Sequence, residues 1–314
     1  MTISTSHGKL LFFGNERLAT GVTTSVPVLR ALIEAGYEIA AVVVAQKETG
    51  NSRKKRLLEI AEIAEQHTIP VLSPAKLGDF KDELIAYQAD AAILIAFGKI
   101  VPQTIIDIFP RGIINIHPSL LPKHRGPTPL ESVIVNGETE TGVSLMRLAA
   151  AMDAGPVYAQ ESVSLQGNET KQQLADKLLN IGKNILLQHL PAILSGDLEP
   201  QEQDEDAASY DQLIERDAGN LTSLDFNESA IKIVRKVRAY ASWPRLRITI
   251  GTTVAIVTKA HAIDGDGLEG TLYLQDDQLG FHTAHGVFII DSLIPSGKKE
   301  MSAQAFLSGY NPAA

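Results

Sequence analysis

Asn115 and His117 stand two residues apart in an apolar run, Ile113-Ile114-Asn115-Ile116-His117, that halts at Pro118. Side chains alternate along a strand, so both leave one face close to its carboxyl end. In an open parallel sheet that end is where ligands bind. An amide that can donate to developing negative charge, beside an imidazole that can take or give a proton, points to acid/base chemistry with an oxyanion stabiliser. The structural alternative is that His117 caps a strand and Asn115 satisfies a turn; on these two residues alone it is as good. Asp153 is the third candidate. It lies in Met152-Asp153-Ala154-Gly155, and a glycine two after an aspartate by itself marks only a turn. Placed beside His117, however, a carboxylate holds the ring's orientation and raises its proton affinity.

The longer string decides between these readings. Asn-Ile-His-Pro-Ser-Leu-Leu-Pro over 115–122, followed by Arg125-Gly126, resembles the signature of the folate-dependent formyltransferases. The resemblance implies transfer of a formyl group from 10-formyltetrahydrofolate to an amine. It assigns Asn115 and protonated His117 to the tetrahedral oxyanion, and Asp153 to orienting His117 and relaying the amine proton. No covalent enzyme intermediate and no metal are implied. It also makes Ser119, Leu120, Leu121 and Pro122 folate contacts. The stretch 95–102, with Phe97 and Gly98, looks like the loop that receives the pterin.

Two features bear on the acceptor. Val237-Arg238-Ala239-Tyr240-Ala241-Ser242-Trp243-Pro244 resembles the branch of the family that formylates methionyl-tRNA, the initiator tRNA. Arg53, Lys54, Lys55 and Arg56 form the densest basic run, directly after Gly50-Asn51-Ser52, and read as a mobile loop leading into a helix. Four cations are unfavourable near a helix N-terminus, and that conflict calls for a partner carrying negative charge. Lys232, Arg235 and Lys236 offer a second set. The expected partner is therefore tRNA. An amino-sugar nucleotide is the alternative acceptor, and a catalytically silent RNA-binding protein is the alternative from another class; intact Asn115, His117 and Asp153 argue against silence. The polar stretch 15–21 departs from the short turn that the family usually has there, which bears on the acceptor pocket.

Around these residues the chain has the composition of a globular protein. Its 314 residues suggest two domains. It contains no cysteine, which removes disulfides, thiolate metal sites and a thiol nucleophile. No apolar run is long enough to span a bilayer, and the N-terminus leads straight into a strand, so a cytoplasmic monomer is expected. The net charge of −9 is concentrated: residues 196–228 hold eleven acids against Arg216 alone. Strands and helices alternate to about residue 196, which predicts an α/β, Rossmann-like, mostly parallel sheet flanked by helices. Residues 197–226 read as an acidic, solvated linker. From 227 to 314 a basic helix and short alternating strands predict a small C-terminal β-barrel, OB-like, in contact with tRNA.

Overall fold

The protein is described from a computed structural model that covers residues 8–15, 22, 27–45, 48–51 and 54–312. It divides into two compact units. The first comprises residues up to 129, 140–163 and 174–211; the second comprises 130–139, 164–173 and 212 onward.

The strands run in chain order as β1 (Lys9–Gly14), β2 (Glu38–Val44), β3 (Glu48–Asn51), β4 (Lys54–Leu57), β5 (Val71–Leu72), β6 (Ala91–Ile95), β7 (Ile113–His117), β8 (Glu140–Arg147) and β9 (Val157–Ser164). Helices α1 (Pro27–Glu34), α2 (Glu59–Gln66), α3 (Lys81–Ala86), α4 (Gln103–Ile106), α5 (Pro129–Asn136) and α6 (Lys171–Ser195) lie between and after them. Seven strands make one sheet in the order β5-β2-β1-β6-β7-β8-β9. β5, β2, β1, β6 and β7 are parallel, and β8 runs antiparallel to β7. Continuous apolar runs such as Ala91-Ala92-Ile93-Leu94-Ile95 are buried along their whole length, as a sheet covered on both faces requires. One face packs Leu11, Phe13, Val43, Leu94, Ile105 and Ile113 into a single core. From β1 the chain winds first towards β5 and then returns to β6, so the strand order reverses between β1 and β6. The carboxyl ends beside that point are where this architecture places ligands.

Two readings change here. Residues 48–51 and 54–57 pair as the antiparallel strands β3 and β4, where a mobile loop was expected ahead of the helix. Residues 201–211 are not a free linker, because they pack into the first unit.

The second unit holds α7 (Ala230–Ala239), the strands β10 (Arg247–Ile250), β11 (Thr253–Ile263), β12 (Leu272–Gln275), β13 (Gln278–His282), β14 (Val287–Pro295) and β15 (Met301–Ser302), and α8 (Ala303–Gly309). The strands pair antiparallel in the order β10-β11-β14-β13-β12, with β15 on β14. Two register shifts around Lys259 bend β11, as a barrel-type sheet needs. His282 sits half-buried on β13 with its ring edge-on to Tyr273 at 5.5 Å, and His285 lies exposed after it.

Candidate active site

β7 ends at His117 on the ligand end of the sheet, and all five of its residues are buried. Asn115 and His117 share a face, as their parity requires, and both are nearly inaccessible. Asn115 lies level with Leu94 of β6 on one side and Met146 of β8 on the other. Its side-chain amide makes no hydrogen bond to another described residue. An amide held by two neighbouring strands, with its donors uncommitted, can meet negative charge without reorganising.

His117 has a partner at each ring nitrogen. Nε2 lies 2.9 Å from the carbonyl oxygen of His124. A carbonyl only accepts, so Nε2 carries the hydrogen. Nδ1 faces Asp153 Oδ1 at 3.7 Å, beyond a hydrogen bond but within ion-pair distance once the ring is protonated. The other carboxylate oxygen of Asp153 accepts the Gly126 N–H at 2.8 Å, so the acid stays pinned whatever charge the ring carries. Asp153 itself has φ +48°. Its turn fits beneath β8 because residue 155 is glycine: a Cβ there would collide with the Arg147 carbonyl oxygen. The Asp-x-Gly spacing thus has a steric cause. Sequence reasoning brought these three residues together, and the fold does the same.

The residues read as folate contacts separate into two groups. Phe97 belongs to the core, its ring edge-on to Phe13 at 5.4 Å, which removes its side chain from a ligand surface. Ser119 is fully buried and donates from Oγ to the Lys123 carbonyl. Leu121 is buried too; its N–H goes to Ser144 Oγ, and its carbonyl accepts from Gln160 Nε2. These three support the loop from within. Gly98 is exposed and Leu120 and Pro122 are half-buried, so they remain open to a ligand.

Sequence reasoning passed over the groups that fix this loop. Ser144 lies opposite His117 on β8, and its Oγ donates to the Ser119 carbonyl at 2.6 Å. A cleft of about 310 Å³ opens beside Leu121 and Pro122, lined also by Gln160 and Gln203. Arg125 is buried completely and donates to both Glu205 oxygens, Gln203 and Tyr210. The Glu205 hydrogen bond, opposed by burial, raises the guanidinium's proton affinity, and Arg125 in turn lowers that of Glu205. No periodic or spacing signal in the sequence joins 125 to 203 and 205. Among the described residues no three His, Asp or Glu side chains gather as a metal-ligand set.

The basic residues divide as well. Lys54, Lys55 and Arg56 lie on β4, and Arg53 is outside the described residues. On α7, Lys236 is mostly buried between Asp225 at 3.0 Å and Glu228 at 2.7 Å, which makes it part of the fold and takes it out of the tRNA-facing set. Lys232 stays accessible and pairs with Glu228 one turn back. Arg235 reaches the Asn136 carbonyl at 3.3 Å. The atypical segment 16–21 also lies outside the described residues.

An Asn–His–Asp set beside the carboxyl end of β7 in an α/β sheet, with an antiparallel barrel-type unit in the same chain, is the frame of an α/β enzyme. Residues 19–190 match the formyl transferase family and 220–311 match its C-terminal domain. The chain belongs to the formyl transferase family. It is 34% identical to a methionyl-tRNA formyltransferase of Myxococcus xanthus, over 98% of this chain and 97% of that one. To its counterpart in Chloroflexus aurantiacus it is 35% identical, over 96% and 97%. Its fold is shared with an N-formyltransferase of Helicobacter canadensis, at TM-score 0.66 and 18% identity, covering 93% of this chain and 99% of that one. No described helix is long and apolar enough to cross a membrane.

Proposed function

We propose that the chain transfers the formyl group of 10-formyltetrahydrofolate to the amino group of methionyl-tRNA, the initiator tRNA, in the cytoplasm and as a monomer. The observation that carries the chemistry is an uncommitted, buried Asn115 amide on the same strand face as a His117 whose Nδ1 faces a pinned Asp153. The neutral amine attacks the formyl carbon, and the carbonyl oxygen becomes an oxyanion. Asn115 donates to that oxygen. The proton lost by the amine passes to His117 Nδ1, and the ring so protonated, paired with Asp153, supplies positive charge beside the oxyanion. His117 then gives that proton to N10 of the folate as the tetrahedral adduct collapses and expels tetrahydrofolate. Buried surroundings strengthen each of these interactions by lowering the local dielectric.

The donor fits the open part of the loop set: Gly98, Leu120 and Pro122 offer main-chain groups and apolar surface to a flat pterin edge. The acceptor follows from relatives of the same length whose named substrate is methionyl-tRNA. Arg53, Lys54, Lys55 and Arg56, with Lys232 and Arg235, would meet its phosphates. On this reading residues 1–196 together with 197–211 form the catalytic part, and the unit from 227 contacts tRNA. Purified protein offered 10-formyltetrahydrofolate with methionyl-tRNA, and separately with a panel of amino-sugar nucleotides, should formylate only the tRNA. Faster transfer to a sugar would overturn the acceptor assignment.

A further inference from the structure

We propose that residues 201–211 are a strap that sets the geometry of His117, with Gln203 and Asp211 as positioning residues; the proposal builds on the catalytic reading above. The sequence there is acidic and most of its side chains are exposed, yet Gln203, Ser209 and Asp211 turn polar groups inward. Val157 and Gln201 exchange both backbone hydrogen bonds, at 2.7 and 2.8 Å. Further on, Ser209 N–H donates to the Pro122 carbonyl, Arg125 N–H to the Ser209 carbonyl, and Asp211 N–H to the Arg125 carbonyl. The strap is thereby laced to the loop that follows β7.

Its side chains then reach both partners of the catalytic imidazole. On the Nε2 side the partner is the His124 carbonyl. His124 has φ +59°, an uncommon conformation for a residue with a side chain. It is held there by Ser209 Oγ, which accepts its N–H at 2.8 Å, and by Asp211, whose carboxylate lies 3.0 Å from its Nδ1. On the Nδ1 side the partner is Asp153. Gln203 Nε2 donates to the Asp153 carbonyl at 2.8 Å and to the Gly155 carbonyl at 2.6 Å. Gln203 Oε1 meanwhile accepts from Arg125 Nε and Nη2, at 3.1 and 2.9 Å. One amide therefore ties the Asp153 turn to the loop that carries His124. Gly126 is part of the same fit, because a Cβ there would strike the Asp211 carbonyl oxygen. Catalytic geometry needs such support, since a misplacement of about 1 Å costs on the order of 100-fold in rate.

Gln203→Glu removes the two donated bonds to the Asp153 turn while keeping an acceptor for Arg125, so the chain should still fold. Asp211→Ala frees the His124 ring. In the full-length protein each should lower kcat for formyl transfer about tenfold, with both KM values within about twofold. Asp211→Glu should recover most of the loss. Nitrogen NMR of the His117 ring supplies a readout independent of turnover: one Nε2–H form in the parent, a mixture in both variants. Unchanged kcat and an unchanged His117 spectrum in folded Gln203→Glu and Asp211→Ala would overturn the proposal and leave the strap a structural tie. If His117→Ala itself kept full turnover, the catalytic reading would fall, while the spectra would still decide whether the strap sets the ring.

Discussion

Two buried acid–base pairs, one in each unit, show how differently the same chemistry can be used. His117 and Asp153 in the first unit stand 3.7 Å apart with side chains 6% and 16% exposed. Lys171 and Glu131 in the second stand 2.9 Å apart with side chains 1% and 2% exposed. In the close pair Lys171 also donates to the Trp243 carbonyl at 3.0 Å, and so joins the start of α6, α5 and the turn before β10. Burial lowers the lysine's proton affinity, and Glu131 partly restores it. The looser pair keeps a gap beyond hydrogen-bond length, with Asp153 held from its other oxygen by the Gly126 N–H. Tight ionic contact fixes a fold; a contact left short of ideal can respond to a reaction.

The largest expected effect breaks the tight pair. Lys171→Met leaves Glu131 buried without its cation and should cost about 3–5 kcal/mol of stability, read from denaturant midpoints. Replacing both, Lys171→Met with Glu131→Leu, should recover most of that, because a packed apolar pair needs no solvation. If the single variant unfolds at the parental midpoint, the pair does not hold this unit together.

Breaking the loose pair should do the reverse. His117→Ala and Asn115→Ala should each lower turnover on the order of 100-fold or more, as loss of an oxyanion donor does. Their denaturant midpoints should stay near that of the parent. A folded variant of either kind with near-parental kcat would remove that residue from the reaction.

The contrast also explains what the sequence could reveal. β1, β2, β6 and β7 were legible because strands buried on both faces read as unbroken apolar runs. β13 was missed: Gln-Leu-Gly-Phe-His is short and carries glycine at its centre, where its backbone approaches that of Phe288 too closely for a Cβ. The reversal of β8 was missed too, since alternating strands and helices ordinarily mean parallel crossovers. Asn115, His117 and Asp153 were legible through a long compositional string. Arg125, Gln203 and Asp211 were not, because their partners lie some 80 residues away and nothing local marks a side chain that will turn inward. Lys236 misled for the same reason: a basic helix face predicts a charged partner, and the fold supplies Asp225 and Glu228.

That cluster carries a smaller, pH-dependent effect. Burial lowers the proton affinity of Lys236, and its bonds to Glu228 and Asp225 outweigh this and raise it. Both carboxyls are held below the ordinary carboxylate range: burial raises them, and this is outweighed by bonds from Thr222 and then Lys236 for Asp225, and from Lys232 and then Lys236 for Glu228. Lowered acids stabilise the fold above their unfolded values and lose that contribution as pH falls through their folded ones; a raised lysine stabilises below its unfolded value and loses it as pH rises through the folded one. The stability of Lys236→Met, read from thermal unfolding, should therefore trail the parent most at neutral pH, by on the order of 1 kcal/mol for partly exposed groups, and converge with it in acid. A gap that persists undiminished at low pH would mean that the lysine's packing, not its charge, is what counts.

The smallest effect on the protein itself should come from the cations at 53–56, and it sharpens the comparison by asking what charge does for a partner outside the fold. Lys54, Lys55 and Arg56 follow one another on β4, a strand of a two-stranded hairpin, with Arg53 directly before them. Four like charges in succession repel, so Arg53→Ala, Lys54→Ala, Lys55→Ala and Arg56→Ala together should leave stability within about 0.5 kcal/mol of the parent. Against methionyl-tRNA the same variant should behave differently. Each phosphate contact releases counterions, so affinity falls with salt at a slope of roughly 0.7 to 0.9 per contact. Removing several contacts should raise KM for methionyl-tRNA at low salt and flatten its dependence on salt concentration. The KM for 10-formyltetrahydrofolate and transfer to a small amine should not change. Formylation of methionyl-tRNA at parental KM across the salt range would show that the hairpin does not face tRNA, and would shift weight towards an amino-sugar acceptor.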